Sequence, residues 1–433
     1  MAESFVRKEM LEAQAPPASQ AGAIAWVREN LFSGPLNTIL TVLGIVVIYW
    51  LISTSLPWWL NGVWNASSLS ECRSIVAASA GEGATGACWA MLRERWHQFI
   101  FGFYPPESYW RPILAFVLLF VALAPVLFTA VPRKALWFTA IYPALCFWLL
   151  WGGPIWTPIV AMMGFVILGL AVVYLSSYLG APGSAAAGVV AAVLWWLFLQ
   201  GPVAGFLASN LPFGLASVNS DRFGGFLLAI TIGVTAIGCS LPIGIILALG
   251  RQSNMVIVKS LSVAFIEFIR GVPLITLLFT ASLLLQYFLP PNTNFDIILR
   301  VIILVTFFAA AYLAEVIRGG LAALPRGQYE AADALGLDYW QAQRLIILPQ
   351  ALKISIPGIV SSFIGLFKDT TLVAFVGLMD PLKGVTQIVR ADMNWKGIYW
   401  EPYIFVGAIF FIICFGMSRY SMYLERKLKT DHR

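Results

Sequence analysis

Ala323-Leu324-Pro325-Arg326-Gly327-Gln328-Tyr329-Glu330-Ala331-Ala332-Asp333-Ala334-Leu335-Gly336-Leu337-Asp338-Tyr339-Trp340-Gln341-Ala342-Gln343-Arg344-Leu345-Ile346-Ile347-Leu348-Pro349 is the longest polar, well-capped stretch in the C-terminal half of a mostly apolar chain. Its residues predict two short helices. Gln328–Leu335 is made of strong helix formers and is stopped by Gly336, the residue that takes a left-handed cap without steric cost. Asp338 then stands as an N-cap with Gln341 at capping-box spacing, and Pro349 is expected to end the second helix. Ala331 and Ala332 leave one side of the first helix nearly bare, so that another surface can approach its backbone. Two readings follow: a surface hairpin that only joins two spans, or an element on which a second protein docks.

Composition sets the class. The chain has 433 residues, 60% hydrophobic and 11% charged, with a mean hydropathy of +0.82, outside the usage of soluble globular proteins. Apolar runs of about 17–25 residues recur, each long enough to cross a bilayer as a helix. The expectation is an all-α, polytopic membrane protein of about ten spans. The net charge of +6 and pI near 9.1 call for no nucleic acid, because Lys and Arg gather in cytoplasmic loops of such proteins.

Residues 1–35 read as an uncleaved cytoplasmic tail, with no apolar core at signal-peptide position. Residues 36–217 then hold five spans: Leu36–Leu56, Pro112–Ala130, Ala135–Trp151, Thr157–Leu179 and Ala187–Leu207. A periplasmic loop at 59–111 opens with Trp58-Trp59, an interfacial aromatic pair. It carries an amphipathic stretch from Trp89 to Ile100, and Cys72 and Cys88, which are either a disulfide or two free thiols. Its arginines (Arg73, Arg93, Arg95, Arg111) run against the positive-inside rule. Residues 218–424 hold spans at Phe223–Leu249, Val272–Leu289, Ile297–Ile317, Ala351–Phe367 and Tyr403–Tyr420, and 425–433 form a basic tail. Arg251, Lys259, the hairpin and Arg426, Lys427 and Lys429 share one side by parity, which places both termini in the cytoplasm.

Charges near these spans either line a substrate path or fix helix ends as satisfied ion pairs. Glu267 and Arg270, and Glu315 and Arg318, are each three apart and can meet on one helix face. Lys368 and Asp369 follow a span of about 17 residues, with Thr370 and Thr371 beside them. A charged group at bilayer depth costs roughly 2.5–3.5 kcal/mol, so such residues face a cavity or each other. A zwitterion needs a cation for its carboxylate and an anion or carbonyls for its ammonium. The Lys368–Asp369 pair either supplies both or merely neutralises itself at a helix break.

Glu330-Ala331-Ala332, then Gly336, then Ile346 and Leu348-Pro349 resemble the EAA loop of bacterial ABC importer permeases, with every fixed position of the pattern present. Arg270-Gly271-Val272-Pro273-Leu274, Ala311 to Gly320 and Phe367 to Leu372 are similar to the polar-amino-acid branch of that family. The five extra N-terminal spans and the Cys-Trp-Ala run at Cys88 resemble the extended membrane subunit of general L-amino-acid importers. The resemblance implies that the loop couples to a cytoplasmic ABC ATPase dimer, which carries ATP and Mg, so that this chain is no enzyme and holds no cofactor. It further implies a second homologous permease or a copy of this chain, a periplasmic amino-acid-binding protein, L-amino acid substrates and the lipid of the bacterial inner membrane. The competing classes are weaker. An ion-coupled secondary amino acid transporter would show symmetric halves or broken helices. An intramembrane metalloenzyme would need a His-Glu-x-x-His motif, and only His97 and His432 exist. No Walker A loop is present.

Overall fold

The computed structural model describes residues 22–284, 287 and 296–428. The first 21 residues of the expected tail, the end of the span expected at 272–289, and Lys429 and His432 lie outside them. The described residues are almost wholly helical. Nine helices among them are long and apolar enough to cross a membrane, and each matches an expected span. The remaining expected span is described as far as residue 284.

The chain divides into two compact units, one ending at Met91 and one from Leu92 on. In the first, α1 (Gly22–Leu31) turns into α2 (Pro35–Leu60), where the Thr41 hydroxyl donates to Leu31 O at 2.7 Å. No residue of α2 is buried, the pattern of a helix that is apolar all round and meets lipid. α3 (Leu69–Ala80) is N-capped by Ser68, which accepts from Glu71 N–H. Cys72 is bonded to Cys88, with 6.1 Å between Cα atoms. Trp89 is nearly buried and packs against Trp58, Trp59 and Trp64.

In the second unit, the stretch expected to be amphipathic is α4 (Ala90–Phe101). Four helical legs follow: α5 (Trp110–Leu127), α6 (Leu136–Trp151), and α7 (Trp156–Leu194), which doubles back at Gly180 and continues through a π turn into α8 (Gln200–Asn210). The fold-back is pinned where Trp195 and Trp196 donate their indole N–H groups to Val160 O and Ala161 O, both at 2.9 Å. Two-residue strands at Gly153–Pro154 and Gly214–Leu215 pair antiparallel beside these helix ends.

The remaining helices are α9 (Gly225–Gln252), α10 (Val256–Gly271) and α11 (Leu274–Phe279), continued by a π turn at Thr280–Leu284. Next come α12 (Ile297–Ala322), α13 (Arg326–Ala334), α14 (Tyr339–Ala342), α15 (Leu348–Asp369), α16 (Pro381–Ala391) and α17 (Trp400–Leu428). α12 is the centre of this group, laid against α9 and α15 and presenting buried Ala309, Ala310, Ala311 and Ala314 for close approach. The sequence predicts a helical turn between Glu267 and Arg270 but not the whole of α10, nor α16, because neither is long enough to register as a span.

Two of the four legs, α5 and α6, join α9, α11, α12 and α15 in one core. Phe101, Tyr104, Ala115, Leu149, Leu150 and Phe223 share a buried cluster with Leu227, Ile232, Val301, Leu366 and Val373. Polar ties fix both ends. At the end away from the hairpin, Arg95 pairs with Asp392 at 2.5 Å, Trp395 Nε1 donates to Glu94 at 2.8 Å, and Arg111 donates to Ala216 O at 2.6 Å. At the hairpin end, Tyr420 donates to Leu127 O (2.5 Å) and Lys427 to Thr129 Oγ1 (2.7 Å). Arg95 and Arg111, which sit badly with a charge count, thus have defined structural partners.

Three backbone segments cross at the end away from the hairpin. Gly102 at the end of α4 and Gly225 at the start of α9 both have positive φ, +66° and +58°. A Cβ on Gly225 would lie 2.1 Å from Phe99 O, and one on Gly102 would lie 2.4 Å from Gly224 Cα. Gly225 N–H also donates to Met379 O at 2.8 Å. Only glycine supplies both the conformation and the space there.

Candidate functional site: the hairpin and the charged path

The hairpin is built by local rules. α13 ends where Gly336 adopts φ +70°, its N–H donating to Asp333 O (2.9 Å) and that of Leu337 to Ala332 O (3.2 Å). Asp338 and Gln341 then form a reciprocal capping box, at 2.9 and 3.2 Å. Pro349, however, does not end the second helix. α14 passes through a π turn at Gln343–Ile347 directly into α15, and Tyr339–Val376 runs on as one helical span. The wide turn relaxes the i−4 hydrogen-bond pattern just ahead of the proline, where the ring and the missing N–H would otherwise break it. The second half of the hairpin and the membrane span are therefore one continuous element.

Glu330, Ala331 and Gly336 are exposed, whereas Ala332 is buried, so the bare face of α13 is divided. Its inner half packs on the π turn of this same chain. Ile346 and Leu348 are half-buried against the core cluster below, and Pro349 is exposed. A side-chain bridge holds the hairpin to the span, with Gln350 Nε2 donating to Gln328 Oε1 (2.9 Å) and to Ile346 O (3.0 Å). Sequence reasoning missed the apolar face that results. Leu335, Tyr339, Trp340 and Leu345 are exposed by 73, 52, 67 and 64%. Their signal was present, as large apolar residues in an otherwise polar stretch. A cluster of this kind on a rigid mount marks an interaction surface.

Along the spans, the sequence pairs regroup. Glu315 and Arg318 do pair within α12, at 3.0 Å, but Glu267 and Arg270 do not pair with each other. Arg251 of α9 bridges Glu267 (2.7 Å) and Glu315 (2.9 Å), while Arg270 approaches Glu315 only to 3.8 Å and lies over the Tyr312 ring at 5.5 Å. Three helices are tied by this group. Lys368 is exposed and Asp369 half-buried at the end of α15, where the helix tightens into a 3₁₀ segment, Thr370–Val376. Thr370 turns inward: it is fully buried, and its hydroxyl donates to Phe367 O at 2.7 Å. The Thr371 hydroxyl likewise donates to Lys368 O at 2.9 Å.

Residues 240–430 match the family described as binding-protein-dependent transport system inner membrane component. A glutamate/glutamine/aspartate/asparagine transport system permease protein of Rhodobacter capsulatus is 70% identical over 99% of this chain and 99% of its own length. The chain belongs to the amino-acid ABC transporter permeases. An inner membrane amino-acid ABC transporter permease protein of Escherichia coli is 38% identical over 98% of each chain. A glutamate/aspartate import permease protein of Escherichia coli, 32% identical, covers 47% of this permease and 91% of its own length. The permease is thus a multi-pass membrane component of an ABC importer rather than an ion-coupled secondary transporter, and the relatives include both full-length and half-length forms.

Proposed function

We propose that this permease passes acidic amino acids and their amides across the bacterial inner membrane, with α13, the capping turn and α14 docking into a cytoplasmic ATPase dimer that binds ATP and Mg. The exposed apolar face of Leu335, Tyr339, Trp340 and Leu345 carries the reading, because all but Leu335 stand on a helical run that continues without a break into a membrane span. Docking would cover that face and transmit movement into α15. The substrate class follows from the name of the Rhodobacter relative, alike over the whole chain. A second homologous permease or a copy of this chain completes the pore, and a periplasmic binding protein delivers substrate. Both termini and the hairpin are cytoplasmic, and the segment tied by Cys72 and Cys88 is periplasmic, where an oxidising compartment favours the bond. Lys368 and Asp369, exposed and half-buried at the tightened end of α15, face a zwitterion as cation and anion. In this reading Thr370 shapes the turn through its back-bond.

The test is reconstitution of the chain with its ATPase, partner permease and binding protein in vesicles containing ATP. Uptake of labelled L-glutamate, L-glutamine, L-aspartate and L-asparagine is expected, with L-arginine and L-leucine as comparators. Equal uptake of all six would remove the acidic-and-amide preference, and uptake independent of ATP would remove the coupling role. Labelling of single cysteines placed in 327–343 from outside sealed cells would reverse the topology.

A further inference from the structure

The five charges at the inner ends of α9, α10 and α12 do not balance. Three guanidiniums (Arg251, Arg270, Arg318) face two carboxylates (Glu267, Glu315). Glu315 Oε2 accepts from Arg318 at 3.0 Å, and Oε1 forms an ion pair with Arg251 at 2.9 Å but no hydrogen bond. Arg270 stands 3.8 Å from Oε2, beyond hydrogen-bond range, and among the described residues none of its five N–H donors has a hydrogen bond. The Tyr312 ring supports its flat face, leaving the donor edge free, and its side chain remains 34% exposed.

Arg270 is the penultimate residue of α10 and keeps part of its side chain open to the surroundings. Arg270 lies about 20 Å along α10 from its start, and Glu315 about 10 Å short of the hairpin end of α12. It stands where the helix breaks: α10 ends at Gly271, and Pro273 starts α11. A Cβ on Gly271 would meet nothing within 4 Å, so the break opens on free space. The last carbonyls of α10 receive no backbone N–H across the break, leaving the negative end of the helix dipole open beside the guanidinium. A surplus cation and a carbonyl edge thus lie side by side. These are complementary to a carboxylate and an ammonium held one carbon apart.

We propose that Arg270 and the open end of α10 form a binding site for the α-carboxylate and α-ammonium of the transported amino acid, distinct from Lys368 and Asp369. The site reads the part common to all amino acids and leaves the side chain free. Arg251 and Arg318 hold Glu315 away, so that Arg270 keeps its donors for substrate. The inference rests on the transport reading above.

The experiment uses the permease–ATPase complex in lipid nanodiscs without binding protein, and measures equilibrium binding of L-glutamine and of its α-methyl ester, which keeps the ammonium and amide but loses the charge on the carboxyl. The parent complex is expected to bind glutamine at least about tenfold more tightly than the ester, the size of a charged hydrogen bond. Arg270→Gln should bind both equally weakly, and Arg318→Gln should keep the discrimination. If Arg270→Gln does not assemble, Arg270→Lys carries the test, and discrimination reduced from the parent value supports the site. Discrimination at the parent value in the Arg270 variant tested, or none in the parent, overturns it. Vesicle uptake separates the two readings: uptake without ester discrimination removes this site alone, whereas no uptake of any amino acid removes the transport reading.

Discussion

The two ends of the Leu92–Arg433 unit are built on opposite plans. Away from the hairpin, side chains and backbone satisfy one another: Arg95 has Asp392, Trp395 has Glu94, and Trp151 donates to Ser220, which donates in turn to Asp296, the N-cap of α12. Backbones cross there at van der Waals limits through Gly102 and Gly225. At the hairpin end, Gly336 has nothing within 4 Å of where a Cβ would be, large apolar side chains face outward, and Arg270 has spare donors. One end ties its charged and aromatic side chains to one another; the other leaves apolar side chains and guanidinium donors open. The difference teaches where a substitution breaks the fold and where it breaks the work.

The strongest way to test that contrast is Gly225→Ala. A methyl group 2.1 Å from Phe99 O cannot be relieved by a side-chain rotation, and the positive φ adds strain. A loss above about 3 kcal/mol is expected, within the range of severe core defects. The check is the yield and melting temperature of detergent-purified protein. A variant that purifies and melts as the parent would show that this end is looser than its geometry.

Asp380 sharpens the comparison through pH. It is fully buried as the N-cap of α16, accepting from Leu382 and Lys383 N–H at 2.9 and 3.1 Å. Burial pushes its carboxyl up to about 6, the N–H bonds pulling the other way. A native pKa above the unfolded value of about 3.8 means that the folded chain binds the proton more tightly. The resulting stability is full below about 4 and is lost as pH rises through 6, a difference of about 2–3 kcal/mol. Thermal stability should therefore fall between pH 4.5 and about 7, and the slope should vanish in Asp380→Asn. The same slope in both proteins would assign it to other groups.

Gly336→Val should leave the fold intact and disturb the hairpin. A β-branched residue at φ +70° pays about 1–2 kcal/mol, here with no neighbour to clash against. Recovery of the ATPase in co-purification should fall about 5–30-fold, and uptake with it, at parental membrane levels. Parental recovery and uptake would remove Gly336 from the coupling geometry. Glu330→Ala should have the smallest effect in the same assay. Its carboxylate is exposed, and a surface charge contact is worth under about 1 kcal/mol, so at most about fivefold in recovery is expected.

The sequence made the local code at the hairpin readable, because a left-handed glycine and a capping box are decided by neighbours in the chain. Span number and order were readable from length and apolarity. Pro349 was misjudged because the usual breaker rule assumes an α turn ahead of it, and a π turn changes the hydrogen-bond register. The full extent of α10, and α16 altogether, were missed because their lengths fall below a membrane crossing. The crossing at Gly102 and Gly225 leaves no periodic trace, since it joins residues more than a hundred positions apart through backbone alone. The extra spans carried little signal of attachment for a related reason: only 11% of the Trp156–Gly180 window is buried, against 56% for Ile297–Ala322. α5 and α6 differ from that window, since Ala115, Leu119, Ala122 and Tyr142 enter clusters with residues of α9.

The π turn before Pro349 gives the second half of the hairpin a mechanical meaning. From that turn, α15 extends 22 residues to Asp369, an arm of about 33 Å at 1.5 Å per residue. A tilt of about 10° at such a pivot would carry Lys368 and Asp369 sideways by about 6 Å, comparable with the width of an amino acid. In the proposed docking, leverage of this kind would turn a small rocking of the hairpin into a full displacement at the far end of α15, with the proline ring setting where the arm begins.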